Sequence, residues 1–347
     1  MKLRGRGSLR RVTRQLKNLF MPTGVILLYH RVVELPSDPQ LLSVTPQHFA
    51  EHLEILRKLY QPLSLRQFSQ ALQNGSISRR TVVITFDDGY VDNLYEAKPL
   101  LEHYDVPATV FVTTGYIGQE HGFYWDELER LLLLPGELPE TLQLSLNGSN
   151  YTWKLGPVTH YSDDSYQNHR HWSVLEKDDP TQRQYLYRIL CQALRQLPEE
   201  VQLKALDDLR EQINSVPEGR STHRTLTSDE IICLTKEGLV EVGAHTVTHP
   251  TLSILPVVSQ LSEIQHSKSQ LDEILGFPVD SFSYPYGSES DYTMETVAMV
   301  QEAGFACACA NFADVVWRYS DHFQLPRFLV RDWDGDEFAR QLRAFLT

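Results

Sequence analysis

Short runs of apolar, β-branched and aromatic residues recur along the chain, each bounded by polar or turn-forming residues. Seven of them predict strands: Val25–His30, Thr81–Asp87, Ala108–Thr113, Leu239–His245, Ser281–Tyr286, Phe305–Ala310 and Phe328–Asp332. Between the first two the period lengthens to that of a helix. Thr45 reads as an N-cap with Pro46 in the first turn, and a second short helix is expected from Ser64 to Leu72. Between the third and fourth strands the alternation stops. Residues 121–224 hold a polar, turn-rich middle (Asn147-Gly148-Ser149-Asn150, Ser162-Asp163-Asp164-Ser165), then two charged helices at about Pro180–Gln196 and Pro198–Ile213. A further helix over Ser228–Lys236 leads into the fourth strand. Strands that alternate with helices imply an α/β protein with a mainly parallel sheet or barrel. The block 121–224 then reads as a partly helical insertion in the β–α loop after the third strand. Its aromatic residues Tyr124, Trp125, Trp153, Tyr161 and Trp172 suit either a small core of its own or a surface that stacks on sugar rings.

Composition changes this picture only at one end. The 347 residues are 41% hydrophobic, 22% charged and 10% aromatic, which suits a soluble globular protein. No apolar run approaches the roughly 20 residues that span a bilayer. The net charge of −13 makes nucleic acid a poor partner. Yet residues 1–33 carry eight Lys and Arg and no acid. Leu9, Val12, Leu16, Leu19 and Phe20 fall near one face of a helix over Ser8–Phe20, with Arg10, Arg11, Arg14 and Lys17 largely on the other. This basic segment, residues 1–24, can pack on the domain or lie on an anionic membrane surface. It lacks the apolar stretch of a secretory signal, so a cytoplasmic location is expected, with peripheral membrane contact at the inner face. The four cysteines fit that location: Cys307 and Cys309 alternate along a strand and read as buried small hydrophobes.

In parallel α/β folds the loops after the strand C-termini build the active site, and the chemically capable residues of this chain gather there. Thr85-Phe86-Asp87-Asp88-Gly89 ends the second strand with adjacent carboxylates before a glycine. Both stay ionised only beside a cation or strong donors, and a divalent metal would let one Asp act as ligand and the other as base. His245-Thr246-Val247-Thr248-His249 follows the fourth strand with an i, i+4 pair of imidazoles. Together the two motifs make a two-His-one-carboxylate set, which leaves metal positions open for water and substrate. In Ser283-Tyr284-Pro285-Tyr286-Gly287, proline and glycine fix a turn that could aim a backbone N–H at a developing oxyanion.

With these three motifs in this order, the chain resembles the polysaccharide deacetylase family, carbohydrate esterase family four, also called the NodB-homology domain. The resemblance covers residues 25–120 and 225–333 and includes the opening Leu27-Leu28-Tyr29-His30-Arg31-Val32. It implies a distorted (β/α)7 barrel over residues 25–120 and 225–347, with 121–224 as a large insertion. It implies a hydrolase that removes N-acetyl groups from an N-acetylated sugar polymer, oligomer or glycan precursor. By the same resemblance Asp88, His245 and His249 bind a divalent metal, usually Zn2+, and Asp87 is the general base. The backbone N–H of Tyr286 joins the oxyanion site, while Pro285 and Trp333 contact substrate, the latter shaping the acetyl pocket. Two family features are absent. Ser283 stands where an arginine often pairs with the base, so Arg331, or Arg327, is expected to supply that charge. No His follows Trp333, so His30, or His322, is expected as general acid. A metal amidohydrolase acting on a non-sugar amide and a non-catalytic carbohydrate-binding relative are the alternatives.

Overall fold

The computed structural model describes residues 23–78, 80–216 and 218–346. The helix expected over Ser8–Phe20 therefore lies outside the described residues. Two compact units divide the chain: the described residues of Met1–Glu34, Ser43–Ile117 and Leu226–Thr347 form one, and Leu35–Leu42 with Gly118–Thr225 form the other.

The first unit is built on seven parallel strands: β1 (Thr23–Tyr29), β2 (Thr81–Phe86), β3 (Ala108–Val112), β4 (Val240–Ala244), β5 (Ser281–Ser283), β6 (Cys307–Cys309) and β7 (Phe328–Leu329). Every residue of β1, β2 and β3 is buried, as continuous apolar runs covered on both faces require. Parallel pairing runs β6-β5-β4-β3-β2-β1, and the other side of β1 pairs with β7 through Leu27–Phe328 and Leu28–Leu329 and, antiparallel, with Val316–Trp317 through Gly24 and Thr23. Three residues before β7, Leu325 makes a parallel bridge with Cys309 of β6. The amide of Leu325 donates to Ala308 O and that of Ala310 to Leu325 O, both at 2.9 Å. The segment 325–329 thus touches both edges of the sheet and brings it round to the distorted barrel that the strand count predicts. Each strand stops one to three residues before its expected C-terminal end. The candidate residues of the motifs are those that leave the sheet.

The covering helices form for local reasons. Thr45 caps α1 (Pro46–Leu59) by accepting from His48 N, and Phe49, His52, Leu53 and Leu56 make its buried stripe. Ser64 and Gln67 close a capping box on α2 (Leu65–Gln73). Lys98–Tyr104 forms α3, and Thr227 with Glu230 repeats the capping box on α4 (Ser228–Thr235). The long α5 (Val257–Leu275) stops at Gly276, which takes a left-handed φ of 75°. Met294–Glu302 (α6) and Gly335–Leu346 (α7) complete the unit. Inside it, His52 is fully buried between Tyr29 OH (3.2 Å from Nδ1) and Trp333 O (2.7 Å from Nε2), with its ring stacked on Phe338.

The second unit packs helices Tyr124–Leu132, Gln182–Leu194 and Glu199–Gln212 around a leucine-rich core, with a hairpin of Thr141–Leu146 and Ser149–Lys154. Its boundary differs from the expected 121–224 block by including Leu35–Leu42. Those residues are held by Pro39 O, which accepts from Val174 N, and by Gln40, which donates to Tyr187 OH. Tyr124, Trp125, Tyr161 and Trp172 are buried, while Trp153 is half-buried and stacks on exposed Tyr151 at 5.7 Å. Among the described residues no helix is long and apolar enough to cross a membrane. All four cysteines are free, with Cys191, Cys307 and Cys309 buried.

Candidate metal and catalytic centre

The last rung between β1 and β2 is the bond from Asp87 N to Tyr29 O, 3.1 Å. The chain then turns through two left-handed residues, Asp88 (φ 76°) and Gly89 (φ 81°). A Cβ on Gly89 would already crowd Val112 at 3.3 Å, so this turn needs glycine. The turn separates the two carboxylates. Asp87 faces a fork formed by Arg327, whose Nη1 and Nη2 donate to Oδ1 and Oδ2 at 2.7 Å each. The hydroxyl of Ser283 sits between them, accepting from Arg327 Nη2 at 2.9 Å and donating to Asp87 Oδ2 at 3.3 Å. The remaining guanidinium donors reach Ala310 O (2.9 Å) and Thr85 Oγ1 (3.3 Å). Burial by itself would raise the pKa of Asp87; the charge of Arg327, followed by that of His245, more than reverses this and holds it well below the carboxylate range.

Of the two arginines expected to pair with Asp87, the charge comes from Arg327 and not from Arg331. Arg327 lies in the segment that closes the barrel and is fully buried, whereas Arg331 follows β7 and is half-buried.

Asp88 turns the other way. Its Oδ1 lies 3.6 Å from His245 Nε2 and 3.3 Å from His249 Nε2, and the three ligand atoms fall within 4.8 Å of one another. His245 Nδ1 is 2.8 Å from Ser283 O. A carbonyl only accepts, so Nδ1 carries the hydrogen and Nε2 presents its lone pair to Asp88. Burial pushes the His245 pKa down to about 4, which keeps that lone pair available. Tetrahedral zinc with bonds of 2.0–2.1 Å needs ligand atoms about 3.4 Å apart, close to the two distances from Asp88 Oδ1. The donor set, two imidazoles and one carboxylate without sulfur, also suits such an ion. These residues fit a divalent metal.

Around this trio the backbone is bent. Ten non-glycine residues among those described have positive φ, and four of them, Asp88, Thr246, His249 and Tyr286, belong to this site. Each such residue costs on the order of 1–3 kcal/mol, and their concentration marks a centre organised ahead of any ligand. Tyr286 (φ 59°) occupies the middle of a tight turn in which Gly287 N donates to Pro285 O at 2.6 Å, and its ring meets that of His249 edge-on at 4.8 Å. A Cβ on Gly287 would stand 2.8 Å from Asn311 N.

His30 directly follows β1 and is half-buried; burial lowers its pKa, opposed by the charges of Asp88 and then Asp87, so both acids act on it. Asn93 holds its carbonyl at 2.9 Å, and the neighbouring Arg31 is buried against Asp92 at 2.8 Å. The charge acting on His322 is that of Asp321 instead. Pro285 is buried in the turn, and Trp333 is half-buried against Phe328 at 6.0 Å. Two contributors escaped the sequence reading. Ser283 was marked only by what it is not, and Glu263, on α5, bonds the loop between the two histidines without any spacing signal to betray it.

The profile of the family described as Polysaccharide deacetylase matches residues 74–173 and 207–308, more than half of the chain. YxkH of Bacillus subtilis (strain 168) is 34% identical over 108 residues, 30% of this chain and 37% of that protein. A poly-beta-1,6-N-acetyl-D-glucosamine N-deacetylase of Staphylococcus aureus (strain MRSA252) is 30% identical over 109 residues, covering 31% of this chain and 33% of the relative. The chain thus spans about a third of the length of these relatives. Among solved structures, IcaB from Ammonifex degensii superposes with a TM-score of 0.57 at 18% identity, over 94% of this chain and 98% of that one. The Streptococcus pyogenes deacetylase PplD, in complex with acetate, gives 0.56 at 17%, over 92% and 98%. The fold is that of these deacetylases. This chain belongs to the polysaccharide deacetylase family.

Proposed function

We propose that this chain is a metal-dependent N-deacetylase of an N-acetylated glycan, whether polymer, oligomer or precursor. The observation that carries the reading is the convergence of Asp88, His245 and His249 beside an ionised Asp87 clamped by Arg327. The likeness to the Staphylococcus aureus poly-beta-1,6-N-acetyl-D-glucosamine N-deacetylase supports the substrate class.

A divalent metal, most simply Zn2+, held by Asp88, His245 and His249 would supply Lewis-acid activation of water and of the acetamide carbonyl. Asp87 takes the proton of the attacking water at Oδ2, the oxygen 3.9 Å from His245 Nε2 and so nearer the ligand trio. Arg327 keeps that carboxylate ionised and fixes its plane. The backbone N–H of Tyr286, set by the Pro285–Gly287 turn, is assigned to the oxyanion. His30 gives a proton to the departing amine as the C–N bond breaks, leaving acetate and a free amino sugar. Arg327 beside Asp87 speaks for a working base and against a carbohydrate-binding relative that has lost catalysis.

Acetate release from a panel of N-acetylated glycans, measured with and without chelator, tests this. Release from at least one glycan that stops on chelation and returns with Zn2+ is expected. Release that ignores chelation, or acetate only from non-sugar amides, would overturn it.

A further inference from the structure

The loop Thr246-Val247-Thr248 joins the two imidazoles that converge on Asp88, and it follows no regular secondary structure. Two of its boundary residues, Thr246 (φ 65°) and His249 (φ 57°), adopt left-handed backbone that their side chains disfavour. Such a loop keeps one shape only if its peptide groups are held, so their partners can be followed one by one. On the acceptor side, Thr246 O takes Thr114 N at 3.0 Å and Val247 O takes Gly115 N at 2.8 Å. The approach is so close that a Cβ on Gly115 would stand 2.6 Å from Val247 O. On the donor side, Val247 N and Thr248 N both point at Glu263 Oε2, at 2.8 and 2.9 Å. The Thr248 hydroxyl donates to Glu263 Oε1 at 2.8 Å. His249 N closes the set on Thr246 Oγ1 at 3.1 Å.

One carboxylate therefore receives three donors from two consecutive residues, the last of which immediately precedes His249. Charge-assisted bonds of this kind are the strong ones, and here they act on backbone, so they define where the loop runs rather than how one side chain rotates. The base on which the carboxylate stands is firm. Glu263 lies on α5, and one heptad later Gln270, on the same helix face, meets the hydroxyl of Thr114 at 2.5 Å. The loop is thus gripped between Thr114–Gly115 on one side and α5 on the other, and α5 is tied to both.

We propose that Glu263 is the positioning residue of the metal centre: by holding the Val247 and Thr248 amides it sets the separation and angle of the His245 and His249 imidazoles. This inference rests on the reading of Asp88, His245 and His249 as metal ligands. Groups that orient metal ligands at one remove change affinity by roughly 10–100-fold when lost, and Glu263 belongs in that range.

The test uses the full chain freed of metal, titrated with Zn2+ against a chromophoric chelator and with Co2+ by visible absorption, which reports ligand geometry. Glu263→Ala is expected to weaken Zn2+ binding by roughly 10–100-fold and to change the intensity and position of the Co2+ bands. Glu263→Gln keeps an oxygen for the two amides and is expected to bind within about fivefold of the parent, with the parental Co2+ spectrum. Thr248→Val removes a single arm and should fall between the two. A folded Glu263→Ala protein with parental affinity and spectrum overturns the proposal, since a merely structural glutamate would leave both unmoved. Should that variant fail to fold, parental affinity in Thr248→Val together with a collapse of binding in Glu263→Gln overturns it equally. If the parent chain itself binds neither ion, the metal reading fails first, and this outcome is distinguished by the parent rather than by the variants.

Discussion

Replacing Arg327 by Met removes a guanidinium but keeps most of the buried stem, so the loss is electrostatic rather than a cavity. The structure shows what is left behind. Asp87 stays buried with only the Ser283 hydroxyl, at 3.3 Å, among the donors described around its side chain, and Ala310 O loses its 2.9 Å partner. An uncompensated buried carboxylate after removal of its partner costs about 3–5 kcal/mol. The freed carbonyl could add about 1 kcal/mol more, although water entering the vacated space would recover part of it. A destabilisation of about 3–5 kcal/mol is therefore expected. It should be measured by urea denaturation in the presence of chelator, so that metal binding does not enter the balance. The companion variant Asp87→Asn leaves Arg327 as the unpaired charge and should cost a comparable amount. The double variant should cost clearly less than the two together, by about 2 kcal/mol or more, because neither orphan then remains. Additive losses, or a single-variant cost below 1 kcal/mol, would refute the view that Arg327 and Asp87 form one buried unit.

Two further outcomes follow from other parts of the fold. Burial pushes the His52 pKa down to about 4, below its ordinary value of about 6.5, so the unfolded chain binds a proton that the folded chain refuses. Its neutral form favours the folded state above pH 6.5, and stability should drain away as pH falls from about 6.5 to 4, by roughly 3 kcal/mol in all. Comparing denaturation midpoints at pH 7 and 4.5 for the parent and His52→Leu checks this; an equal drop in both would count against it. For His30, the alanine variant should lose roughly 100-fold or more in kcat while its metal content stays at the parental level, as removal of a general acid predicts. Unchanged turnover with unchanged metal would remove His30 from the mechanism.

The sequence announced the barrel because parallel strands buried on both faces read as continuous apolar runs, and it announced the candidate site because Asp88, His245 and their neighbours follow such runs directly. What it could not announce was decided by closure of the sheet. Arg327 and Arg331 are four residues apart, so strand alternation points both to the same side. The choice between them depends on the pairing of Phe328 with Leu27 and on the contact of Leu325 with Cys309, which are long-range facts. Glu263 was hidden for a different reason: its targets are backbone amides, and no residue pattern advertises those. Leu35–Leu42 likewise gave no local sign of joining the second unit, since Gln40 finds Tyr187 far along the chain.

The exchange at Ser283 joins these points. Ser283 and Arg327 are both fully buried and both touch Asp87. Close-packed interiors do not hold two guanidinium groups around one carboxylate without displacing something else, so a small side chain at 283 is the condition for a large one arriving from the closing segment. The serine is also more than a space: its carbonyl fixes the tautomer of His245 while its hydroxyl links Arg327 to Asp87. Position by position, Ser283 looks like a missing catalytic arginine. Taken with the register of β7, it is the place that receives the guanidinium of Arg327, which pairs with Asp87 from the closing segment. Asp87 and His245 share one supporting residue, so Ser283→Ala should disturb the acid–guanidinium pair while leaving the His245 tautomer, which the backbone alone holds, as it was.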